Sequence, residues 1–222
     1  MNDNNHMEDL LRTPKIRRAR VPRWMVRAAD WMLKIRGWKR VGEVPCPCRF
    51  VAICAPHTSN WDVYYWLALA WGLGVRPHYM VKHTLFWWPL GVFLRWTGAV
   101  PVDRTSHRNA VQQMADIFDQ NEEFVLGVAA EGTRKRAAGW KSGFYYIALN
   151  ARVPIAMGYL DYKKKIVGIS EPFVPSGNLE EDFKIVQAFY RDKTAKYENQ
   201  RGPIELEKKP PQQPKQASGG GG

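Results

Sequence analysis

The sequence contains no apolar run of the ~20 residues that a bilayer-spanning helix requires. Its longest uncharged stretches, Val63–Val75 and Thr84–Leu94, both fall short, so no helix is expected to cross a membrane. Cysteine is scarce. Cys46, Cys48 and Cys54 are the full complement, and an odd number crowded into one short span does not make an extracellular disulfide framework, so a reducing compartment is expected. Acidic residues are also few, with 21 Asp and Glu against 33 Lys and Arg, a formal net charge of +12. Such an excess implies an anionic partner. Nucleic acid is not expected to be that partner, because the chain carries no zinc-finger spacing, RNA-recognition signature or Gly-rich phosphate loop. The first twenty residues are basic, yet no clean apolar segment and no small-residue cleavage site follow them, so a secretory leader is not expected either.

What is present points to a lipid surface. Ten Trp are found among 13% aromatic residues, and indoles favour the boundary between lipid and water. The basic excess is concentrated: residues 12–40 hold eleven Lys or Arg and a single acid, Asp30. From Pro22 to Trp38, a 100° step sets Trp24, Ala28, Trp31, Ile35 and Trp38 on one stripe, with Arg23, Arg27, Asp30 and Lys34 on another. This predicts an amphipathic helix. Its aromatic stripe either packs on the domain core or lies among headgroups as a monotopic anchor.

Hydrophobic residues at 45% and charged residues at 24% are ordinary for a globular chain, and the length suits one domain. Strand patterns at Phe50–Cys54, His78–Val81, Gly98–Val102, Glu123–Ala129, Val153–Leu160 and Lys165–Ser170 alternate with helical ones. The helical patterns cover Asp62–Gly72, Ser106–Asp119 and Lys141–Asn150. The expected fold is therefore a single α/β domain, a mixed sheet flanked by helices and preceded by the amphipathic helix. Its expected boundaries are a mobile basic arm at 1–21, the interface helix at 22–40, the folded domain at 41–200 and a disordered Pro/Gln/Gly-rich tail at 201–222. The aromatic segment Leu85–Trp96, interrupted by Pro89 and Gly91, is expected to be core, to help form an apolar ligand groove, or to dip into a bilayer.

The densest chemistry lies in Cys54-Ala-Pro-His57-Thr-Ser-Asn-Trp-Asp62, a strand end that turns into a helix. Such turns are where α/β folds expose reacting groups. A carboxylate five residues after an imidazole can fix its tautomer and hold its charge while the imidazole takes a proton from a hydroxyl. The simpler reading is that Asp62 only favours the helix N-terminus. Cys46, Cys48, Cys54 and His57 were they to converge would offer zinc three sulfurs and a nitrogen, but one residue between Cys46 and Cys48 is too tight, and no metal is expected.

Three further blocks follow: Gly98-Ala-Val-Pro-Val-Asp-Arg104, then Glu131-Gly132-Thr133-Arg134, then Val153-Pro154-Ile155. In this order and spacing, the four blocks over about residues 48–172 resemble the glycerophospholipid acyltransferase family, which contains the 1-acyl-glycerol-3-phosphate acyltransferases. His57 and Asp62 fill its His-x4-Asp block, Arg104 ends its second block, and Pro154 matches the proline of its fourth. Lys82, Phe86, Pro89 and Gly91 fall where the family has a lysine followed by an apolar segment, and Lys141 and Gly143 fall in its lysine-glycine helix start. Pro56, Pro101 and Ala130 depart from its common residues without removing a charged or reacting group.

The resemblance implies transfer of a fatty acyl group from acyl-CoA or acyl-carrier protein to the hydroxyl of a lysophospholipid, with 1-acyl-glycerol-3-phosphate the leading acceptor. It implies no cofactor beyond that co-substrate. Moving an acyl group from a thioester to an alcohol needs a base, an oxyanion donor and, for this acceptor, a phosphate grip. His57 and Asp62 fit the first need. Arg104 and Arg134 offer forked donors to phosphate, Gly132 a close backbone approach, Thr133 a hydroxyl, and Lys82 and Lys141 further charge. Glu131 would repel phosphate, so it is expected to orient Arg104 or Arg134 through an ion pair. A backbone N–H near the Thr58–Trp61 turn is the expected oxyanion donor. Anionic membrane lipids are the expected partner of the basic arm, which places the chain on the cytoplasmic face of the cell membrane as a peripheral or monotopic protein. Another lyso-lipid acceptor, such as an ornithine lipid precursor, and a non-catalytic basic membrane-binding module are the alternatives.

Overall fold

Val51, Ile53 and Ala55 alternate with Phe50, Ala52 and Cys54, so the strand Arg49–Ala55 buries two opposite faces and belongs at the centre of a sheet. The computed structural model describes residues 21–44, 48–102 and 110–207. Seven strands are formed within them: β1 (Lys39–Val41), β2 (Arg49–Ala55), β3 (Pro77–Lys82), β4 (Ala99–Val102), β5 (Phe124–Val128), β6 (Ile155–Asp161) and β7 (Ile166–Ile169). They make one sheet in the order β1-β7-β6-β2-β5-β3-β4. Every pairing is parallel except that of β6 with β7, a tight antiparallel hairpin, so the sheet is mixed, as expected from the alternating patterns.

Among the described residues six α-helices cover the sheet: α1 (Arg23–Lys34), α2 (Trp61–Gly72), α3 (Leu90–Trp96), α4 (Ala110–Asp119), α5 (Gly143–Ala151) and α6 (Leu179–Tyr190). On one face α4, α5 and α6 bury Phe118, Phe144, Ile147, Val186 and Tyr190 against Val51, Ile53 and Leu126. On the other, α1 and α2 pack Ala29, Leu33, Tyr65 and Leu69 against Leu160 and Val167.

Helix α1 is shorter than the pattern Pro22–Trp38 suggests, and its orientation settles which stripe is buried. The helix ends at Lys34, the chain turns through Gly37 at φ +69°, and the Trp38 N–H donates to Leu33 O at 2.9 Å. Gly is the residue that adopts this backbone without strain. Trp38 thereby leaves the stripe and buries against Tyr65, with ring centroids 3.9 Å apart. The contact with the domain is made by Ala29 and Leu33, while Trp24 and Trp31 are each 63% exposed.

Helix α6 has no counterpart in the expected pattern, although its start is marked. Asn178 caps it, accepting from the Glu181 N–H at 3.3 Å, and Glu180, Glu181 and Asp182 occupy the first turn. Residues 201–207, expected to open a disordered tail, instead strap the domain. Arg201 donates to Tyr190 O and Lys193 O at 2.7 and 2.6 Å, and Trp140 exchanges backbone bonds with Glu205 and Glu207.

Candidate active site

The turn between β2 and α2 is organised by one carboxylate. Asp62, in the first turn of α2, is fully buried, and its Oδ2 accepts the backbone N–H of Thr58 and of Ser59 at 2.8 Å each. Two N–H donors and a helix N-terminus satisfy this oxygen away from water. The His57 Nδ1 lies 3.3 Å from that same Oδ2, off the line of a hydrogen bond. A slack contact of this kind is common before substrate arrives. Asp62 therefore closes the helix start and also faces the imidazole. The other oxygen, Oδ1, accepts the Tyr162 hydroxyl at 2.5 Å.

The Glu131–Arg134 block follows β5 and comes alongside this turn. Gly132 bends the chain at φ +67°, with its N–H on Ala129 O at 2.9 Å, and a Cβ there would meet Lys141 Cε at 3.0 Å. The positive φ is what favours glycine there, since the Lys141 side chain is flexible enough to yield. Glu131 is buried, and its Oε1 accepts the His57 backbone N–H at 3.3 Å. Burial pushes its carboxyl above the ordinary carboxylate range, against the pull of that N–H and of the His57 charge. The expected ion pair with Arg134 does not form. The Arg134 guanidinium instead reaches Asn60 Oδ1 in the His57 turn, because Glu131 points inward while Arg134 stays at the surface. Glu131 thus braces the histidine backbone and not Arg134, while the Arg104 half of that expectation lies outside the described residues.

The remaining candidates separate. His57, Gly132, Thr133, Arg134 and Lys141 border one cavity. Lys82, exposed at the end of β3 opposite Val102, does not border it. Arg104 and Cys46 lie outside the described residues. The Thr58 and Ser59 N–H groups are taken by Asp62 and that of Trp61 by Ser59 Oγ at 3.2 Å, so these three are not the oxyanion donors expected in this turn.

The cavity, about 760 Å³, runs from His57 along β2 under α2 towards Phe50 and Val75. Small residues on that side of the sheet create it. Ala52 and Gly127 are register partners on β2 and β5, and Cys54 and Gly158 on β2 and β6. A Cβ added at Gly127 would touch Cys54 Sγ at 3.4 Å, and one at Gly158 would strike the Trp66 ring at 2.9 Å. Burial pushes the Cys54 thiol up to about 12, so it stays a neutral wall group and no nucleophile. Sequence reasoning missed these wall residues, although the run of Ala, Cys and Gly at inward strand positions was a usable signal. The segment Leu85–Trp96 contributes nothing to this cavity. Instead it holds Trp87, Phe93 and Trp96 largely exposed and Trp88 82% exposed.

Fold and sequence together place the chain among the acyltransferases. Residues 47–157, half of the chain, match the family model described as Acyltransferase, and the chain belongs to that family. Its fold is also that of a solved structure, the 1-acyl-sn-glycerophosphate (LPA) acyltransferase PlsC from Thermotoga maritima. The two share 18% identity over 78% of this chain and 81% of that one, with a TM-score of 0.54.

Proposed function

We propose that the protein moves a fatty acyl group from a thioester, acyl-CoA or acyl-carrier protein, to the free hydroxyl of 1-acyl-glycerol-3-phosphate, forming phosphatidic acid. The observation that carries this reading is His57 at the mouth of an apolar cavity, with buried Asp62 behind it and Arg134 and Lys141 at its rim. An acyl chain needs an apolar slot of this volume, and the phosphate needs cations at its opening.

In the reaction, His57 Nε2 removes the hydroxyl proton as the oxygen attacks the thioester carbonyl, with Asp62 holding the Nδ1–H and offsetting the imidazolium charge. The tetrahedral intermediate collapses as the C–S bond breaks, and the imidazolium returns its proton to the departing thiolate. Arg134 and Thr133 hold the acceptor phosphate with Lys141, and Arg104 is proposed to add to that grip, whereas Lys82, away from the cavity, has no part in it. Glu131 and Gly132 shape the loop that presents them. No cofactor or metal takes part.

The same reading puts the domain at a membrane surface. Trp24 and Trp31 on α1, with Ile35 just past its end, project outward beside Arg23, Arg27 and Lys34. Helix α2 links this helix to the exposed aromatics of α3, with the Trp71 and Trp96 rings 6.3 Å apart. Aromatic groups flanked by cations suit an anionic headgroup layer, where each well-placed Lys or Arg contributes about 1 kcal/mol. The proposed location is the cytoplasmic face of the cell membrane.

The test is transfer from labelled acyl-CoA or acyl-carrier protein to 1-acyl-glycerol-3-phosphate in liposomes, with His57→Ala and Asp62→Ala beside the parent. Phosphatidic acid from the parent, with turnover reduced at least about a hundredfold in both variants, is the expected result. Product from another lyso-lipid alone would move the acceptor. No product from any would leave a membrane-binding module.

A further inference from the structure

The dyad geometry depends on something outside the His57 turn. The Asp62 Oδ2 already receives two backbone N–H groups at 2.8 Å, and a carboxylate oxygen has only two good lone-pair directions. His57 Nδ1, arriving third at 3.3 Å, sits off line. How Oδ2 presents itself to the imidazole depends on the rotation of the carboxylate, which the two N–H groups hold at Oδ2 and one further bond holds at Oδ1. Its donor is Tyr162, one hundred positions away in sequence.

Tyr162 is well placed to hold an orientation. It follows Asp161, whose buried carboxylate accepts the Lys164 N–H at 3.1 Å and the Thr194 hydroxyl, so the β6–β7 turn is tied down. Its own N–H donates to Thr194 O at 3.1 Å. Its ring meets Trp38 edge-on with centroids 4.9 Å apart, and Tyr65 at 5.8 Å. Burial, and then the Asp62 carboxylate, push its phenol well above the ordinary range, so the hydroxyl stays a donor.

Resting on the acyl-transfer reading above, we propose that Tyr162 is a positioning residue of the His57–Asp62 dyad, fixing the Asp62 carboxylate through Oδ1 and linking the seat of helix α1 to the imidazole. The link runs through Trp38, which closes α1 and packs on both Tyr65 and Tyr162, and through the Tyr64 hydroxyl on Met32 O at 2.8 Å. Tyr162 does not border the cavity. It acts on the tautomer and aim of His57, which a carboxylate partner decides.

The experiment compares the full chain with Tyr162→Phe, which deletes only the hydroxyl, and Trp38→Phe, which keeps the hydroxyl and loosens its packing. Two readouts are taken. In acyl transfer, Tyr162→Phe is expected to lower kcat about tenfold at unchanged KM for donor and acceptor, the scale of one buried bond to a charged group. Trp38→Phe is expected to give a smaller fall of the same kind. The second readout needs no turnover: ring ¹⁵N shifts of His57 report how much of the imidazole carries its proton on Nδ1, and that fraction is expected to drop in Tyr162→Phe. Parental kcat, or a parental His57 ring spectrum, overturns the proposal, and a lowered Tm with the ring spectrum unmoved reduces Tyr162 to packing. If the parent transfers no acyl group, the functional reading fails while the ring spectrum still decides the role of Tyr162.

Discussion

Along β2, Val51, Ile53 and Ala55 enter a filled core under α4, α5 and α6, whereas Phe50, Ala52 and Cys54, one residue away in each case, border the cavity under α2. The sheet is the same; the packing is not. On the filled face, Phe118, Phe144, Tyr145 and Tyr190 leave little space, and interiors of that density resist any change in volume. On the cavity face, Ala52, Gly127 and Gly158 withhold side chains where large ones would ordinarily sit. The contrast teaches that stability and substrate space are divided by strand alternation, so neighbouring substitutions on one strand should have different consequences.

The largest effect should come from Ile53→Ala, which opens a hole in the filled face. It should cost about 3 kcal/mol, read as a fall in urea midpoint, with acyl-chain preference unchanged. Next, Ala52→Leu on the adjacent position should destabilise by less than about 1 kcal/mol, because it grows into existing space. Its effect should appear in specificity, as a shift of about tenfold towards shorter acyl donors in competition assays. A long-chain preference left intact by Ala52→Leu would detach the cavity from the acyl group.

Away from the sheet, Trp24→Ala with Trp31→Ala should reduce binding to anionic vesicles by about tenfold while changing stability by less than about 0.5 kcal/mol, since both rings face outward. Unchanged co-sedimentation would remove α1 from the proposed membrane contact. The smallest effect concerns Glu131, whose folded carboxyl keeps its proton to a higher pH than the ordinary 4.5 of an unfolded one. Between those values the native state binds more protons, so stability from this group is present below 4.5 and declines as pH rises towards the folded value. Glu131→Gln cannot titrate, so urea midpoints across a pH series should show the variant gaining on the parent as pH increases. A constant difference would mean that the burial of Glu131 has no protonation consequence.

Much of the site was legible because it is local. The six residues from His57 to Asp62 make a strand-to-helix turn, and Glu131 to Arg134 make another, so order and spacing carried both blocks. The fold class was legible for a related reason: alternation of short apolar strands with helical patterns leaves few arrangements other than a layered α/β sheet. Helix α6 escaped although Asn178 and Glu181 mark its cap and Phe183, Val186 and Tyr190 recur at the i, i+3, i+7 spacing of one buried helix face, so its signal was in the sequence. The Leu85–Trp96 segment could be read as core, groove or surface from composition, and its exposure decided for surface.

The sequence alone determined the chemistry on offer: which groups can take a proton, which can hold a phosphate, and which helix presents Trp beside Arg. Those properties belong to residue types and short spacings. Tertiary structure decided which of them meet. It sent Arg134 to Asn60 and Glu131 to the His57 backbone, left Lys82 away from the cavity, and turned Trp38 inward while Trp24 and Trp31 stayed out. It also brought Tyr162 onto Asp62 and lined up Ala52, Cys54, Gly127 and Gly158 as a cavity wall, because pairing among β2, β5 and β6 joins positions that no local pattern connects.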